Sequence, residues 1–359
     1  MTTHRIALIP GDGIGKEVVV EAVRVLEAAG AGHGIAFDWQ EFPWSCETYA
    51  ATGRMMPDDG AEQLRPFDAV FLGAVGYPGV PDHVSLWGLL IPLRRQFEQY
   101  VNLRPIRLLP GVRTPLADRA AGEIDFVIVR ENSEGEYSKV GGRIFEDTPR
   151  ETVIQEAVFT RTGVDRILRY AFELARTRPR KKVTSATKSN GIIHSMPYWD
   201  ERFAAIAAEF PDIETDQFHI DILSAHFVQH PDWFDVVVGS NLFGDILSDL
   251  GAAVVGGMGL APAANINPER THPSMFEPVH GSAPDIAGQG IANPIAQIWT
   301  GAMMLDHLGH AEAARSIEAA IANVLSDGRV MTPDLGGDAS TEAMGRALVD
   351  ALGAGSPDA

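Results

Sequence analysis

Asp245 and Asp249 stand four residues apart in "NLFGDILSDLGAA", the run from Asn241 to Ala253. In a helix of 3.6 residues per turn that spacing stacks both carboxylates on one stripe, beside an apolar stripe of Leu242, Ile246 and Leu250. Two like charges so placed destabilise an isolated helix by roughly 0.2–0.5 kcal/mol, and by more against apolar surface unless protons or a cation neutralise them. Two readings are open: a solvated helix face, or an oxygen site for a hard divalent cation. The flanks "FDVVVG" and "AAVVGG" read as interior and favour the second, since Mg²⁺ or Mn²⁺ takes one or two carboxylates and completes its shell with water and substrate.

Three arginines border apolar runs: Arg94 in "LLIPLRR", Arg104 in "VNLRPI" and Arg130 in "VIVREN". Singly each reads as structural. Together, in a chain with 48 acidic and 29 basic residues and a net charge of −19, they offer planar forks able to hold a carboxylate. The acidic surplus repels nucleic-acid phosphates and anionic membranes, so neither is expected as a partner. Cys46 is the single cysteine; it excludes an intramolecular disulfide and a cysteine-rich zinc site, and it reads as a packing residue rather than a nucleophile. The start, "MTTHRIALIPGDG", runs straight into a strand and turn, and no apolar run approaches ~18 uninterrupted residues. A leader or spanning segment is therefore not expected, and a reducing cytoplasm is.

Strand and helix patterns alternate along the chain. "RIALIPGDGIG", "DAVFLGAVG", "EIDFVIVRE", "KKVTSATK" and "FDVVVGSN" are short apolar runs bounded by turn formers, whereas "GVDRILRYAFELARTR" and "MPYWDERFAAIAAEF" carry helical spacing. That alternation predicts an α/β fold with a mostly parallel central sheet. "GDGIGKE" fails as a phosphate loop, because Glu17 stands where Ser or Thr belongs, and its glycine spacing misses the Rossmann fingerprint by one; it predicts a tight strand-to-helix turn. "HGSAPDIAGQGIANP", His280 to Pro294, is rich in small residues and reads either as a surface turn or as a loop lying flat against a ligand. The last residues, "GAGSPDA", read as a frayed tail.

The ordered set "IPGDGIG", "LRRQFEQYVNLRP", "FVIVRENSEGEY", "NLFGDILSDLGA" and "FEPVHGSAPDIAGQGIANP" resembles the β-decarboxylating dehydrogenases, the family of isocitrate, isopropylmalate and tartrate/D-malate dehydrogenases, over essentially the whole chain. The resemblance implies an isopropylmalate dehydrogenase-like two-lobed fold that is not a classical Rossmann domain. The larger, cofactor-binding lobe would be residues 1–100 and 255–359, and the smaller 101–254, with a dimer arm near 140–160. It implies that Asp245 and Asp249 bind Mg²⁺ or Mn²⁺ with Asp221 of "FHIDILSAHF" as third carboxylate; in this family that residue and the lysine matching Lys188 come from the neighbouring subunit, so the active unit would be a homodimer. Arg94, Arg104 and Arg130 would clamp the carboxylate lost as CO₂, with Tyr137 and Lys188 as the acid and base pair. Asn190 would approach the nicotinamide of NAD, and His280, Gly281, Ala283, Asp285, Ile286 and Asn293 would hold its adenosine half. Asp285 can accept bonds from both ribose hydroxyls but repels a 2′-phosphate, which favours NAD over NADP. The resemblance also admits a monovalent cation such as K⁺.

Within the family, "SLWGLLIPLR" faces the group on the substrate's third carbon. Trp87 brings bulk there, Leu90 and Ile91 offer apolar surface, and "TSATKSNG" departs from the usual isopropylmalate dehydrogenase run; these features resemble the tartrate and D-malate branch. The expected reaction is NAD-dependent oxidative decarboxylation of D-malate to pyruvate and CO₂, with tartrate also a substrate. The neighbouring reading is 3-isopropylmalate dehydrogenase; readings from other classes are a metal-dependent lyase that never uses NAD and a metabolite-binding protein.

Overall fold

Each of the five apolar runs read above as strands forms one, and seven more strands join them. The structure, a computed structural model, describes residues 1–354; the end of the tail, 355–359, lies outside the described residues. In chain order the strands are β1 (Thr2–Gly11), β2 (Ile35–Glu41), β3 (Ala69–Ala74), β4 (Val101–Arg107), β5 (Asp125–Glu131), β6 (Gly141–Ile144), β7 (Thr152–Gln155), β8 (Lys182–Thr187), β9 (Glu214–His219), β10 (Val236–Gly239), β11 (Pro262–Ile266) and β12 (Ser274–Pro278). The chain divides into two compact units, one of residues 1–99, 104–124 and 251–359, the other of residues 100–103 and 125–250.

In the first unit the strand order is β2-β1-β3-β12-β11. All pairings are parallel except β11 with β12, whose register sets Pro262 against Pro278. "AVFLGA" of β3 is buried at every position, the pattern of a strand covered on both faces. The helix Gly15–His33 packs against the helices Ile295–His307, Ala311–Asp327 and Thr341–Ala354, and stops at Gly34 in the left-handed conformation that closes a helix. Residues 104–124 belong to this unit, whereas the family resemblance placed them in the smaller lobe. The reason is packing: Arg107 donates to Glu318 at 2.9 Å and lies over Trp299, and Thr114 bonds the Val254 carbonyl.

In the second unit four strands run parallel in the order β5-β10-β8-β9. The amphipathic helix Arg161–Thr177 begins at Thr160, whose hydroxyl accepts the Gly163 N–H at 3.0 Å, and packs against Ser195–Ala207. β6 and β7 form a separate antiparallel ribbon, exposed throughout, that shows Val140, Ile144, Val153 and Ile154 to solvent. A two-stranded ribbon is marginal in water by itself. No helix among the described residues is long and apolar enough to cross a membrane.

Candidate active site

The second unit gathers several of the expected residues around Asp245. Arg130, at the end of β5, is 2% exposed. Its Nε and Nη2 donate to Asn241 Oδ1 at 3.1 and 2.7 Å, and its Nη1 pairs with one oxygen of Asp245. The Tyr137 hydroxyl donates to the other oxygen at 2.7 Å. Such closeness requires Gly244: a Cβ there would stand 2.5 Å from Arg130 Cβ. Glu136 accepts the Ser240 hydroxyl and the Leu242 N–H, at 2.8 and 3.1 Å, so the loop after β5 is tied to the first turn of the helix Asn241–Val254.

In that helix the apolar stripe Leu242, Ile246, Leu250 is not the buried face: Ile246 is 50% exposed, and Phe243, Leu247 and Ser248 are buried. Asp249 is exposed and Asp245 partly so, which leaves both carboxylates reachable.

Lys188 and Asp221 form a second group. β8 and β9 run in register with Thr187 opposite His219, so residues just past the two strand ends meet: Lys188 Nζ is 2.6 Å from Asp221 Oδ1. The hydrogen bond from Lys188 holds the Asp221 carboxyl below the usual carboxylate range. Asn190 is exposed two residues on. Among the described residues no three acidic, histidine or cysteine side chains stand where they could share an ion. Asp221 therefore does not join Asp245 and Asp249 within one chain.

In the first unit, Arg94 and Arg104 are both buried. Arg94 Nη2 donates to Glu277 Oε1 at 2.7 Å, Asn265 donates to the same oxygen, and the Arg94 Nε is buried with no partner. The segment before it, Leu86–Leu90, is one π-helical turn closed by the Ile91 N–H on the Leu86 carbonyl. Pro92 cannot donate the bond an α-helix would need next, and π-turns of this kind recur at functional sites. Trp87 lies against the Arg95 guanidinium, 5.1 Å from ring centroid to carbon, and half-buried Leu90 packs on the core.

The segment His280–Pro294 is irregular and anchored from both sides. Ile14 N–H donates to the Ser282 carbonyl at 2.9 Å; a Cβ on Gly13, at φ +54°, would fall 2.1 Å from that oxygen. Glu17 accepts the Gly288 and Gly290 N–H groups at 2.6 and 2.9 Å. Ala283 and Ile286 pack against Ile14, Val18 and Ala292, while Gly281 and Asp285 are exposed. Burial pushes His280 down, so its ring is neutral. Its Nδ1 is 2.9 Å from the Gly281 carbonyl, which can only accept, so the proton sits on Nδ1. Nε2 is then a bare acceptor, buried without a partner. An open acceptor beside an apolar surface and an exposed carboxylate fits the purine amino group, ring and ribose of an adenine nucleotide. Asn293 differs from expectation: its amide oxygen accepts the Ile295 N–H and its nitrogen donates to Asp334, both at 3.0 Å, so it ties down the end of the segment instead of presenting a free amide.

Residues 5–348 match the isocitrate/isopropylmalate dehydrogenase family. The chain is 62% identical over 355 residues to D-malate dehydrogenase [decarboxylating] of Escherichia coli (strain K12), covering 97% of this chain and 98% of that one. It is 60% identical over 358 residues to tartrate dehydrogenase/decarboxylase of Pseudomonas putida, covering 98% of each. The crystal structure of isocitrate dehydrogenase from Methylococcus capsulatus superposes with a TM-score of 0.87 at 41% identity, over 97% of this chain and 99% of that one. The chain belongs to the isocitrate/isopropylmalate dehydrogenase family.

For this member of the isocitrate/isopropylmalate dehydrogenase family, sequence reasoning missed the residues that hold the site in place. Asp12, inside "GDGIG", is fully buried and accepts N–H groups from Cys46, Glu47 and Gly76 at 2.9, 3.3 and 3.1 Å. Its position as an acid in a glycine turn was the available signal. Glu17, Glu277 and Asn241 carry no comparable mark, because their partners are distant in the chain. Cys46 is fully buried, and burial followed by the Asp12 carboxylate pushes its thiol up to about 12. The native protein should therefore leave Cys46 unlabelled by a disulfide reagent such as DTNB near neutral pH, with one thiol appearing on unfolding in guanidinium. Fast stoichiometric labelling of the folded enzyme would contradict the burial.

Proposed function

We propose that this enzyme oxidises D-malate with NAD⁺ and a divalent cation, releasing CO₂ and pyruvate, and also acts on tartrate. The substrate reading rests on 62% and 60% identity, over nearly the whole chain, to relatives named for those two acids. The chemistry rests on one observation, the convergence of Tyr137 and Arg130 on Asp245.

Asp245 and Asp249 supply hard oxygen ligands suited to Mg²⁺ or Mn²⁺, with Asp221 contributed across a homodimer. The homodimer is supported by exposed apolar side chains beside both acidic groups, Ile222 next to Asp221 and Ile246 next to Asp245, and on the β6–β7 ribbon. His280, Gly281, Ala283, Asp285 and Ile286 are proposed to receive the adenosine half of NAD, with Asn293 positioning the segment and Asn190 near the nicotinamide. When bound, the dication supplies Lewis acidity at the oxidised oxygen and NAD⁺ supplies the hydride acceptor.

The chain's own groups do the rest. Lys188 is the group proposed to take the hydroxyl proton as the alcohol is oxidised. Arg94, Arg104 and Arg130 hold carboxylates by charge-assisted bonds; the unpartnered Nε of Arg94 leaves a donor for one. Loss of CO₂ from the carboxylate β to the new ketone leaves a carbon that must regain a proton, and Tyr137 delivers it. Asp285 disfavours a 2′-phosphate by charge repulsion, which solvent screens in part because the residue is exposed.

Following NADH by its near-ultraviolet absorbance, with Mn²⁺ and NAD⁺ or NADP⁺, tests this on D-malate, the tartrate isomers, 3-isopropylmalate and isocitrate. D-malate with NAD⁺ should give the highest kcat/KM. A higher value with 3-isopropylmalate or isocitrate would overturn the substrate assignment, and no reduced cofactor with any of these acids would overturn the reaction.

A further inference from the structure

The first unit carries an open cavity of about 290 Å³ lined by His4, Arg65, Asp68, Arg270, His272 and His307, among others. In a chain of net charge −19 this lining carries two arginines and three histidines against one carboxylate. The cavity opens where β1 and β3 begin. The Gly11–Gly15 turn and the segment it anchors lie at the other ends of those strands, roughly 20 Å away at about 3.3 Å per residue. The lining shares no residue with the sites assigned above.

Several features mark it as a built site. Arg270 sits at φ +54°, an uncommon conformation for a side-chain-bearing residue, and Asn267 enforces it. The Asn267 carbonyl accepts the Arg270 N–H at 3.0 Å, and the Asn267 side-chain oxygen accepts the Thr271 and His272 N–H groups at 2.7 and 3.2 Å. The Arg270 guanidinium makes no ion pair or hydrogen bond among the described residues. Arg65 is engaged by Glu62 at 3.0 and 2.8 Å and turns its Nη1 to His272 Nδ1 at 3.0 Å. A guanidinium only donates, so His272 accepts at Nδ1 and keeps its proton on Nε2 as a donor. His307 is held to about 4, first by burial and then by the charge of Arg270, so it is a neutral ring facing a cation. The lining therefore offers a free cation and imidazole groups, with Asp68 turned to His4 at 3.4 Å.

We propose that this cavity binds a small multivalent oxyanion, a phosphate or a compact polycarboxylate, between Arg270 and the His272 and His307 rings. Its volume lies at the lower bound of small-molecule sites, about 300 Å³, which suits such an ion and excludes a dinucleotide.

Calorimetric titration of the full-length enzyme with inorganic phosphate, and separately with citrate, at constant ionic strength in chloride, tests the proposal. At least one should bind saturably at one site per chain, the tighter of the two naming the source. The ring signals of His272 and His307 should move in the NMR spectrum during that titration. Arg270→Gln, at an exposed position, should weaken binding by about tenfold or more while leaving D-malate turnover unchanged. Absence of saturable binding would overturn the site. So would binding that persists unweakened in Arg270→Gln, or that leaves both ring signals still, because the ion would then sit elsewhere.

Discussion

Asp245→Asn is expected to lower kcat/KM for D-malate by about 10³-fold, a loss near 4 kcal/mol of transition-state stabilisation. Asparagine keeps the shape and one acceptor oxygen, so Arg130 and Tyr137 retain part of their anchorage. What disappears is the charge. In the folded chain that charge is balanced by Arg130 and the Tyr137 hydroxyl; with a dication present it is a ligand. Two measurements separate the roles. Mn²⁺ titration followed by electron paramagnetic resonance should show dication affinity falling by an order of magnitude or more. Thermal unfolding should show a smaller penalty, about 1–3 kcal/mol, because buried Arg130 loses its anionic partner but keeps Asn241. An Asp245→Asn enzyme that bound Mn²⁺ and turned over as the parent does would remove Asp245 from the chemistry.

Tyr137→Phe should lower kcat by about 10²–10³-fold, the usual range for removing a positioned proton donor. The substitution deletes one hydroxyl from a partly exposed ring and leaves the stacking with Arg130, whose guanidinium carbon is 5.5 Å from the ring centroid. KM for D-malate and the affinity for Mn²⁺ should stay within about threefold, since uniform binding is untouched when only a transition-state interaction is lost. That split distinguishes proton delivery from a merely structural role. If the hydroxyl served only to orient Asp245, KM and Mn²⁺ affinity would shift together while kcat changed little, and Tyr137 would lose its assignment as acid.

The relation between chain and fold is clearest in the helix Asn241–Val254. Its i, i+4 carboxylates and its helical character were readable from spacing, because 3.6 residues per turn is a property of the backbone. Which face meets the core was not: Leu242, Ile246 and Leu250 are as apolar as Phe243 and Leu247, and only packing against the rest of the unit turned Ile246 outward. Strands β1, β3, β5, β8 and β10 were legible as apolar runs. β9, "ETDQFH", pairs on one side only with β8 and is largely polar, so it left no apolar signature. Residues 104–124 also escaped correct grouping, since Arg107 finds Glu318 across 211 positions.

By itself the sequence determined which residue types are available: two stacked carboxylates, three arginines in an acidic chain, one inert cysteine, and an ordered series of motifs that specifies the family. Tertiary structure alone decided what each of them touches. Tyr137 reaches Asp245 across 108 residues, Arg130 across 115, and Glu17 fastens Gly288 across 271. Local spacing follows from the geometry of a single helix or strand, whereas those contacts depend on where whole elements pack, and the energy that fixes their packing is spread over the core rather than written in any one segment.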